Sequence, residues 1–418
     1  MAVAVSLPTS SRSSVARPVL AVSMCAAMQG VGGGLGWSVM PASMPAIARD
    51  LGLGHAASGF VFGAASLGIA VASPIGGAAV DRYGARKVAG WAMLFGALAC
   101  AARAYATGTL SLALAMLFFG LHVGFTAPAI PKALAGHVHV SRVARANGLA
   151  LLAYTLGTAV TMLVTRTVLL PTFGGWRPLM VASGAAMAVT GLVWLAVVRE
   201  GVTLARHAKV SDALAMASDG RIRRVAAMHF LVFGGYLALL SLLPRALMES
   251  GMSPVKVGTA IATWLVCAGV ANFAGPWLGD ALNIRRPIFV AGGLVAALAL
   301  AGVTVAALVA PGKIPLFLAI AAIGGGSFAP LLLTLPLELP GIGPARAGAA
   351  LGLLMLVGQA GGFLLPTVSG AMAQAFGSPA ALALLAVAHL LVILPALGLP
   401  RDRGPMATSL PHPGLSSR

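Results

Sequence analysis

Long apolar stretches of about twenty residues alternate with short polar stretches along nearly the whole chain. A helix needs about 20 apolar residues to cross the hydrocarbon core of a bilayer. Because these stretches are continuous and do not alternate in polarity, they favour membrane helices over the strands of a β-barrel. The pattern predicts twelve membrane helices, near residues 19–47, 57–80, 87–107, 110–135, 145–170, 176–198, 223–248, 255–280, 286–310, 314–337, 346–373 and 378–399.

The longest polar connection, residues 199–222, falls at the middle of the chain. It predicts an all-α integral membrane protein built from two pseudo-symmetric bundles of six helices, at residues 19–198 and 223–399. Residues 1–18 and 400–418 are expected to be cytoplasmic tails. The apolar run after the first tail is too long for the hydrophobic part of a signal peptide.

Composition strengthens this interpretation. The 418 residues are 59% hydrophobic and only 9% charged, whereas about a quarter of the residues of soluble domains are charged. The formal net charge is +18, but the bases lie in short clusters without a nucleic-acid-binding motif. We therefore expect the lipid bilayer, and no nucleic acid, as a partner. The three cysteines lie inside apolar segments without paired spacing, so no disulfide framework, metal site or cofactor is expected.

The distribution of Lys and Arg predicts the orientation. If both termini are cytoplasmic, most of the bases fall on inner segments, as the positive-inside rule requires. This predicts a multi-pass protein of the inner (plasma) membrane. Three bases remain within the outer thirds of helices: Arg103, Arg166 and Arg245. Arginine near a helix end commonly extends to the lipid headgroups, and we expect this of all three, with Arg245 as the best candidate for an exception because it follows Pro244.

The two halves repeat each other at nearly one spacing. The offsets are 326 − 124 = 202, 346 − 145 = 201 and 280 − 81 = 199. They relate Gly124–Pro128 to Gly326–Pro330, Arg145 and Gly157 to Arg346 and Gly358, and Asp81 and Arg86 to Asp280 and Arg285. A parallel duplication of six helices is a transporter architecture with its substrate site near the membrane midplane, between the repeats.

The segment Gly77–Lys87 concentrates an acid, three bases and a turn glycine between the second and third helices. Together with its degenerate copy around Asp280, it resembles the motif of the major facilitator superfamily, and the resemblance covers about residues 19–399. This resemblance implies a secondary active transporter that works by alternating access, in which we expect a set of charged residues and glycines to gate the movement of the two halves. The residues are Gly77, Asp81, Arg82, Gly84, Arg86, Asp280, Arg285, Arg145 and Arg346.

Two further stretches resemble the branches that carry nitrate, nitrite, cyanate and small organic anions. They are Phe173–Arg177 before the sixth helix, and Leu337–Gly341 leading into the glycines of the eleventh. The chain departs from the nitrate branch where that branch has asparagine, because it has Thr158 and Gln359 instead. It also has no arginine at mid-depth, which argues against nitrate itself.

The resemblance implies that polar side chains at mid-depth on the cavity helices contact the solute. Tyr154 and Thr158 share one helical face, and Gln359 is the repeat-mate of Thr158. His122 is a candidate for anion or proton binding, or for simple packing between helices. The full set of expected solute contacts is Gln29, Trp37, His122, Tyr154, Thr158, Tyr236, Trp264, Ser327, Gln359 and Arg245. No Asp or Glu lies at mid-depth, so proton coupling either uses His122 or is absent.

These observations predict a monomeric transporter of a small polar solute, an anion or small metabolite, with a coupled proton or counter-ion as a further ligand. The alternatives are a proton-driven exporter of apolar compounds and a membrane scaffold or sensor. A third alternative is a Cu(I) transporter, which is suggested by two pairs of methionines, Met24 with Met28 and Met40 with Met44. No catalytic constellation lies at one membrane depth, so an enzyme is not expected.

Overall fold

A computed structural model describes residues 11–200, 215–339 and 343–399. Within these ranges it contains twelve helices long and apolar enough to cross a membrane, which confirms the predicted number. The helices are α1 (Pro18–Leu51), α2 (His55–Tyr83), α3 (Ala85–Tyr105), α4 (Thr109–His137), α5 (Arg145–Phe173), α6 (Trp176–Val197), α7 (Gly220–Glu249), α8 (Pro254–Ala281), α9 (Arg286–Val309), α10 (Pro311–Pro336), α11 (Ala349–Phe376) and α12 (Ser378–Leu397).

The helices pack in two equivalent sets of six. In the first half α2 packs along α4, and α3 packs against α4 and α6; in the second half α8 packs along α10, and α9 packs against α10 and α12. The pairs α1 with α5 and α7 with α11 are also equivalent. The same neighbours therefore recur after one repeat, as the internal sequence matches predict.

Two of the membrane helices contain wide turns. In α1 the segment Gln29–Gly36 is π-helical, and the α-helix resumes at Trp37. In α5 a shorter π-helical segment spans Thr165–Leu169. Such insertions are rare in α-helices and are frequent at functional sites. Both lie on helices that border the space between the halves.

The halves contact each other mainly toward one end of the bundle. We call it the distal end, and it carries the connections α1–α2, α7–α8 and α11–α12. The opposite end, where the described residues begin at 11 and finish at 399, is called the terminal end. Across the halves α2 packs on α11, α5 on α8, and α1 on α7. Gly63 lies so near α11 that a Cβ on it would stand 2.7 Å from Phe363 O, and Gly59 similarly abuts Pro366 O.

These glycine contacts bring the backbones of α2 and α11 together without intervening side chains, as small residues do at helix crossings in membranes. Among the helix ends that the structure describes, no comparable contact joins the halves at the terminal end. The described contacts thus close the space between the halves at the distal end.

Candidate functional site

Two tyrosines from opposite halves face each other in the middle of the bundle. Tyr154 lies on α5 and Tyr236 on α7, and their side chains are within hydrogen-bonding reach. The Tyr236 ring stacks on Trp264 of α8, with ring centroids 5.5 Å apart and an interplanar angle of 29°. Thr158 approaches the Tyr154 hydroxyl, yet among the described residues no hydrogen bond of good geometry satisfies Thr158 Oγ1. The predicted candidates Tyr154, Thr158, Tyr236 and Trp264 are therefore brought together.

The wide turn of α1 forms the wall beside Tyr154. A Cβ on Gly33 would lie 2.5 Å from Tyr154 Cδ2 and 3.4 Å from Gln29 Oε1. A Cβ on Gly34 would lie 2.7 Å from Gly157 Cα. Glycine is therefore needed for α1 to approach α5 this closely. The approach places the half-buried amide of Gln29 beside the tyrosine pair.

Trp37 lies farther along α1, in the core of the first half. Its ring packs edge-on against Phe62, with centroids 5.4 Å apart, and at a tilt of 45° against Phe119, with centroids 6.2 Å apart. It is buried, and its Nε1 has no hydrogen-bond partner in the part of the chain that the structure describes. This position favours packing, and the predicted contact with solute stays a prediction.

His122 is enclosed between α3, α4 and α1. Its Nδ1 lies 2.9 Å from Ala92 O, and its ring meets Phe119 edge-on at 5.4 Å. A Cβ on Gly96 would lie between 2.4 and 2.8 Å from three atoms of the His122 ring. The imidazole therefore fills the space that this glycine leaves. Of the two roles that the sequence left open for His122, the surroundings favour packing.

In the second half, α7 presents further rings along the face of Tyr236. His229 is buried and stacks on Phe233, with centroids 5.6 Å apart. On the neighbouring helix α11, Gln359 is half-buried, and its Oε1 has no hydrogen-bond partner among the described residues. An unsatisfied amide oxygen near the interface fits the predicted role of Gln359. Phe233 was not expected at the site, although its helical spacing from Tyr236 could have indicated it.

Ser327 contributes mainly to packing within α10. Its Oγ donates to Gly324 O at 2.7 Å in its own helix. Its backbone abuts Gly275 of α8. The hydroxyl is therefore occupied in this state, and a solute contact from Ser327 stays a prediction.

At the distal end a cluster of polar groups joins the halves. We call it the distal latch; it consists of Leu53, His55, Arg245, Glu249 and Ser378. His55 Nε2 lies 2.8 Å from Glu249 Oε1, which also accepts from Arg245 Nε at 3.0 Å. Ser378 Oγ donates to Glu249 Oε2 at 2.5 Å, and Arg245 donates across the halves to Leu53 O at 3.0 Å. Arg245, predicted to contact solute, is here a latch residue.

A small cavity lies beside the distal latch, between the halves. Its lining includes three serines, Ser58, Ser241 and Ser369, together with His55 and Arg245. The cavity has room for about one water molecule. The sequence indicated neither His55 nor Glu249; the spacing of four between Arg245 and Glu249 on one helix was the available signal.

At the terminal end the motif acid of the first half is held within that half. Asp81 of α2 forms an ion pair with Lys132 of α4, and its side chain is 4% exposed. The Arg86 guanidinium donates to Leu195 O, and the Arg86 amide donates to Glu200 Oε1 at 3.2 Å. In this state the motif therefore binds helices of its own bundle.

The copy in the second half is a denser cluster. Arg285 donates to Asp280 Oδ1 at 2.6 Å and to both carboxylate oxygens of Glu338, at 2.7 and 2.8 Å. The hydrogen bonds to Glu338, and then those to Asp280, raise the pKa of the Arg285 guanidinium above its usual value. Arg285 therefore stays charged at any physiological pH.

The other motif residues that the structure describes also lie at the terminal end. Gly84 has a positive φ of 86° at the turn between α2 and α3. Arg82 lies over the Tyr83 ring at 5.2 Å, Arg145 is exposed, and a Cβ on Gly77 would meet no atom within 4 Å. The side chain of Arg346 falls outside the described residues.

One prediction from the sequence is wrong. Arg103 does not reach the lipid headgroups, because its side chain is fully buried at 0% exposure. Its guanidinium donates to Gly36 O at 2.8 Å and lies 4.0 Å from the centroid of the Phe119 ring. The depth of the residue suggested the expectation, but α3 turns this side chain toward the inside of the bundle.

The methionines that suggested Cu(I) transport lie mostly in the packed core. Met28, Met40 and Met44 are buried in the main hydrophobic core. Among the described residues there is no group of three His, Cys, Asp or Glu side chains that would hold a metal ion. Buried thioethers among apolar neighbours are typical of core packing.

The fold and the arrangement of the site define a helical membrane transporter with two repeated halves. The sequence model of the Major Facilitator Superfamily matches residues 26–366 and 225–417. These matches cover most of the chain, which therefore belongs to this family of secondary transporters and confirms the predicted family and fold.

A curated relative and several solved structures are similar to the chain. "Probable anion transporter 3, chloroplastic" of Arabidopsis thaliana is 30% identical over 167 residues, which are 40% of this chain and 31% of that protein. The match thus spans about a third of the relative's length.

Among solved structures, a bacterial homologue of the human lysosomal transporter Spinster, in an inward-facing and occupied conformation, is 16% identical and has a TM-score of 0.77. The alignment covers 93% of this chain and 97% of that one. A D-xylose–proton symporter is 15% identical over 92% of this chain and 98% of its own, with a TM-score of 0.73. At these identities the likeness concerns the fold.

Proposed function

We propose that the protein carries a small polar solute, an anion or small metabolite, across the inner membrane by alternating access. The observation that carries this proposal is the meeting of Tyr154 and Tyr236, one from each half, beside the stacked Trp264. Hydroxyl and amide groups at an interface between repeats bind polar groups of a solute. Similarity of part of the chain to a probable anion transporter agrees with an anionic substrate.

The arrangement of the two halves also supports the proposal of alternating access. The distal latch joins the halves at one end, and no comparable contact joins the described helix ends at the other. With both termini in the cytoplasm, as the distribution of bases predicts, this is the state in which the site is reached from inside. Outward opening requires the latch to break and the terminal end to close.

The test is uptake into liposomes that contain the purified protein. Labelled phosphate, nitrate and small carboxylates are offered one at a time, with and without a pH gradient. We expect saturable uptake of at least one of them. Tyr236→Phe should raise the KM about three- to tenfold, because a lost hydrogen bond is worth about 0.5–1.5 kcal/mol. Tyr105→Phe is the matched control, since Tyr105 is 79% exposed.

Export of apolar compounds is the second candidate, favoured by the stacked rings of Tyr236 and Trp264. It predicts drug resistance on overexpression, lost in Asp81→Asn, and no uptake of the polar panel. A scaffold predicts no flux of any solute. Saturable uptake of a polar solute that is unaffected by Tyr236→Phe would support the transport function but contradict the assignment of Tyr236 to the binding site.

A further inference from the structure

The most unusual charged group in the molecule is the guanidinium of Arg103. It is fully buried at the end of α3. No carboxylate among the described residues pairs with it, and its Nε and NH2 have no hydrogen-bond partner there. A buried and incompletely satisfied charge destabilises a fold, so its presence within a membrane helix indicates a role in function.

Among the described residues, Arg103 binds one backbone group, the carbonyl of Gly36, at 2.8 Å. Gly36 is the last residue of the π-helical segment Gln29–Gly36 and the N-cap of the α-helix that resumes at Trp37. The Arg103 guanidinium therefore adds a hydrogen bond at the point where the wide turn passes back into the α-helix.

The segment needs such support because of its composition. Its sequence is QGVGGGLG, with five glycines in eight residues. Glycine is the poorest helix former after proline, since its unfolded backbone has the most freedom to lose. Arg103 is also fixed from below, because Phe119 lies under the guanidinium at 4.0 Å and packs against Trp37 at 6.2 Å.

The supported segment forms the wall of the candidate site. Gly33 lies against the Tyr154 ring and beside Gln29, and Gly34 lies against Gly157. A shift of the wide turn by a fraction of an ångström would therefore displace the Tyr154 ring. Tyr154 in turn faces Tyr236 from the other half.

We propose that Arg103 is a positioning residue, which holds the wide turn of α1 in place and through it sets the geometry of the Tyr154–Tyr236 pair. The link from Arg103 to α1 stands on its own contacts, whereas its effect on solute affinity rests on the proposed function. Arg103 does not touch the solute in this arrangement.

The first test needs no solute. Hydrogen exchange of the purified protein is compared for wild type, Arg103→Met and Arg103→Lys, with Arg49→Met as control because Arg49 is an exposed arginine on α1. We expect amides of Gln29–Gly36 to exchange at least tenfold faster in Arg103→Met, and less so in Arg103→Lys, which retains a cationic donor. Exchange elsewhere in α1 and α3 should be unchanged. Uniform acceleration, or no local change, would overturn the proposal.

The second test separates positioning from folding. In liposomes, uptake of phosphate or nitrate by Arg103→Met should show a KM about tenfold higher, while the melting temperature stays equal or rises because an unsatisfied buried charge is removed. An unchanged KM, or a loss of melting temperature without a KM effect, contradicts the proposal. If the wild type carries none of phosphate, nitrate and the small carboxylates of the panel, the proposed anionic substrate fails, and hydrogen exchange alone decides the role of Arg103.

Discussion

The distal latch predicts that charge at Glu249 controls how often the distal end opens. Replacement of Glu249 by Gln keeps the shape and one acceptor oxygen but removes the charge that binds His55 across the halves at 2.8 Å. It also loosens Arg245, whose second bond crosses to Leu53 O at 3.0 Å. The variant should therefore populate the distally open state more than the wild type does.

The size of the effect follows from exposure. A hydrogen bond to a charged group contributes about 1.5–3 kcal/mol, but the Glu249 side chain is 41% exposed, where solvent screening lowers such values to about 1 kcal/mol or less. We expect about 1 kcal/mol, which is about a fivefold shift in the ratio of open to closed molecules. Gly59→Ala should act in the same direction by a steric route, because its new methyl group would meet the backbone carbonyl of Pro366.

The assay is alkylation of a single cysteine by a membrane-impermeant maleimide. Ser58→Cys is made in a protein whose Cys25, Cys100 and Cys267 are replaced, because Ser58 is 6% exposed and lines the cavity beside the latch. Glu249→Gln should raise the alkylation rate about fivefold.

The matched control is Asp50→Asn. Asp50 binds only partners of its own half in the described residues, Trp176 Nε1 at 3.1 Å and Arg177 at 3.0 Å. The latch reasoning is refuted if Glu249→Gln leaves the rate unchanged, or if Asp50→Asn raises it equally.

Two further predictions concern the site and the terminal end. Gly33→Ala should raise the KM for the transported solute about tenfold in liposome uptake, because the added methyl group would stand 2.5 Å from Tyr154 Cδ2. Gly148→Ala is the neutral control, because a Cβ there meets no atom within 4 Å. Equal KM values in the two variants would contradict the placement of Gly33 in the wall of the site. Asp81→Asn should slow transport while solute binding from the distal side, measured by thermal shift, stays within about twofold; loss of binding would show that Asp81 is no gate residue.

The helices could be predicted from the sequence because the bilayer sets their length and each apolar run has polar ends. The repeat also followed, since Asp81 and Asp280 stand at the same junction of each half. Tyr154 and Tyr236 could be proposed singly from their depth. Their meeting depends on how the two halves are placed, which hydrophobic periodicity does not encode.

The failures have the same physical origin. His55 and Glu249 are 194 residues apart in the chain, and their contact joins the two halves. The prediction for Arg103 was wrong because the depth of a residue along a helix does not determine the direction in which the helix turns its side chain. A helix that is apolar nearly all round shows no periodic stripe from which the inward face could be read.

The tyrosine pair also bears on how a solute can lie between the halves. At the repeat offset of 201, the counterpart of Tyr154 is Met355 and that of Tyr236 is Leu35 (154 + 201 = 355; 236 − 201 = 35). The duplicated scaffold has thus kept its symmetry in the backbone and lost it in the groups around the centre. If the proposed site holds the solute, the hydroxyls around it come from non-equivalent helices, and we expect a single preferred orientation in which the same end faces the same half throughout the cycle.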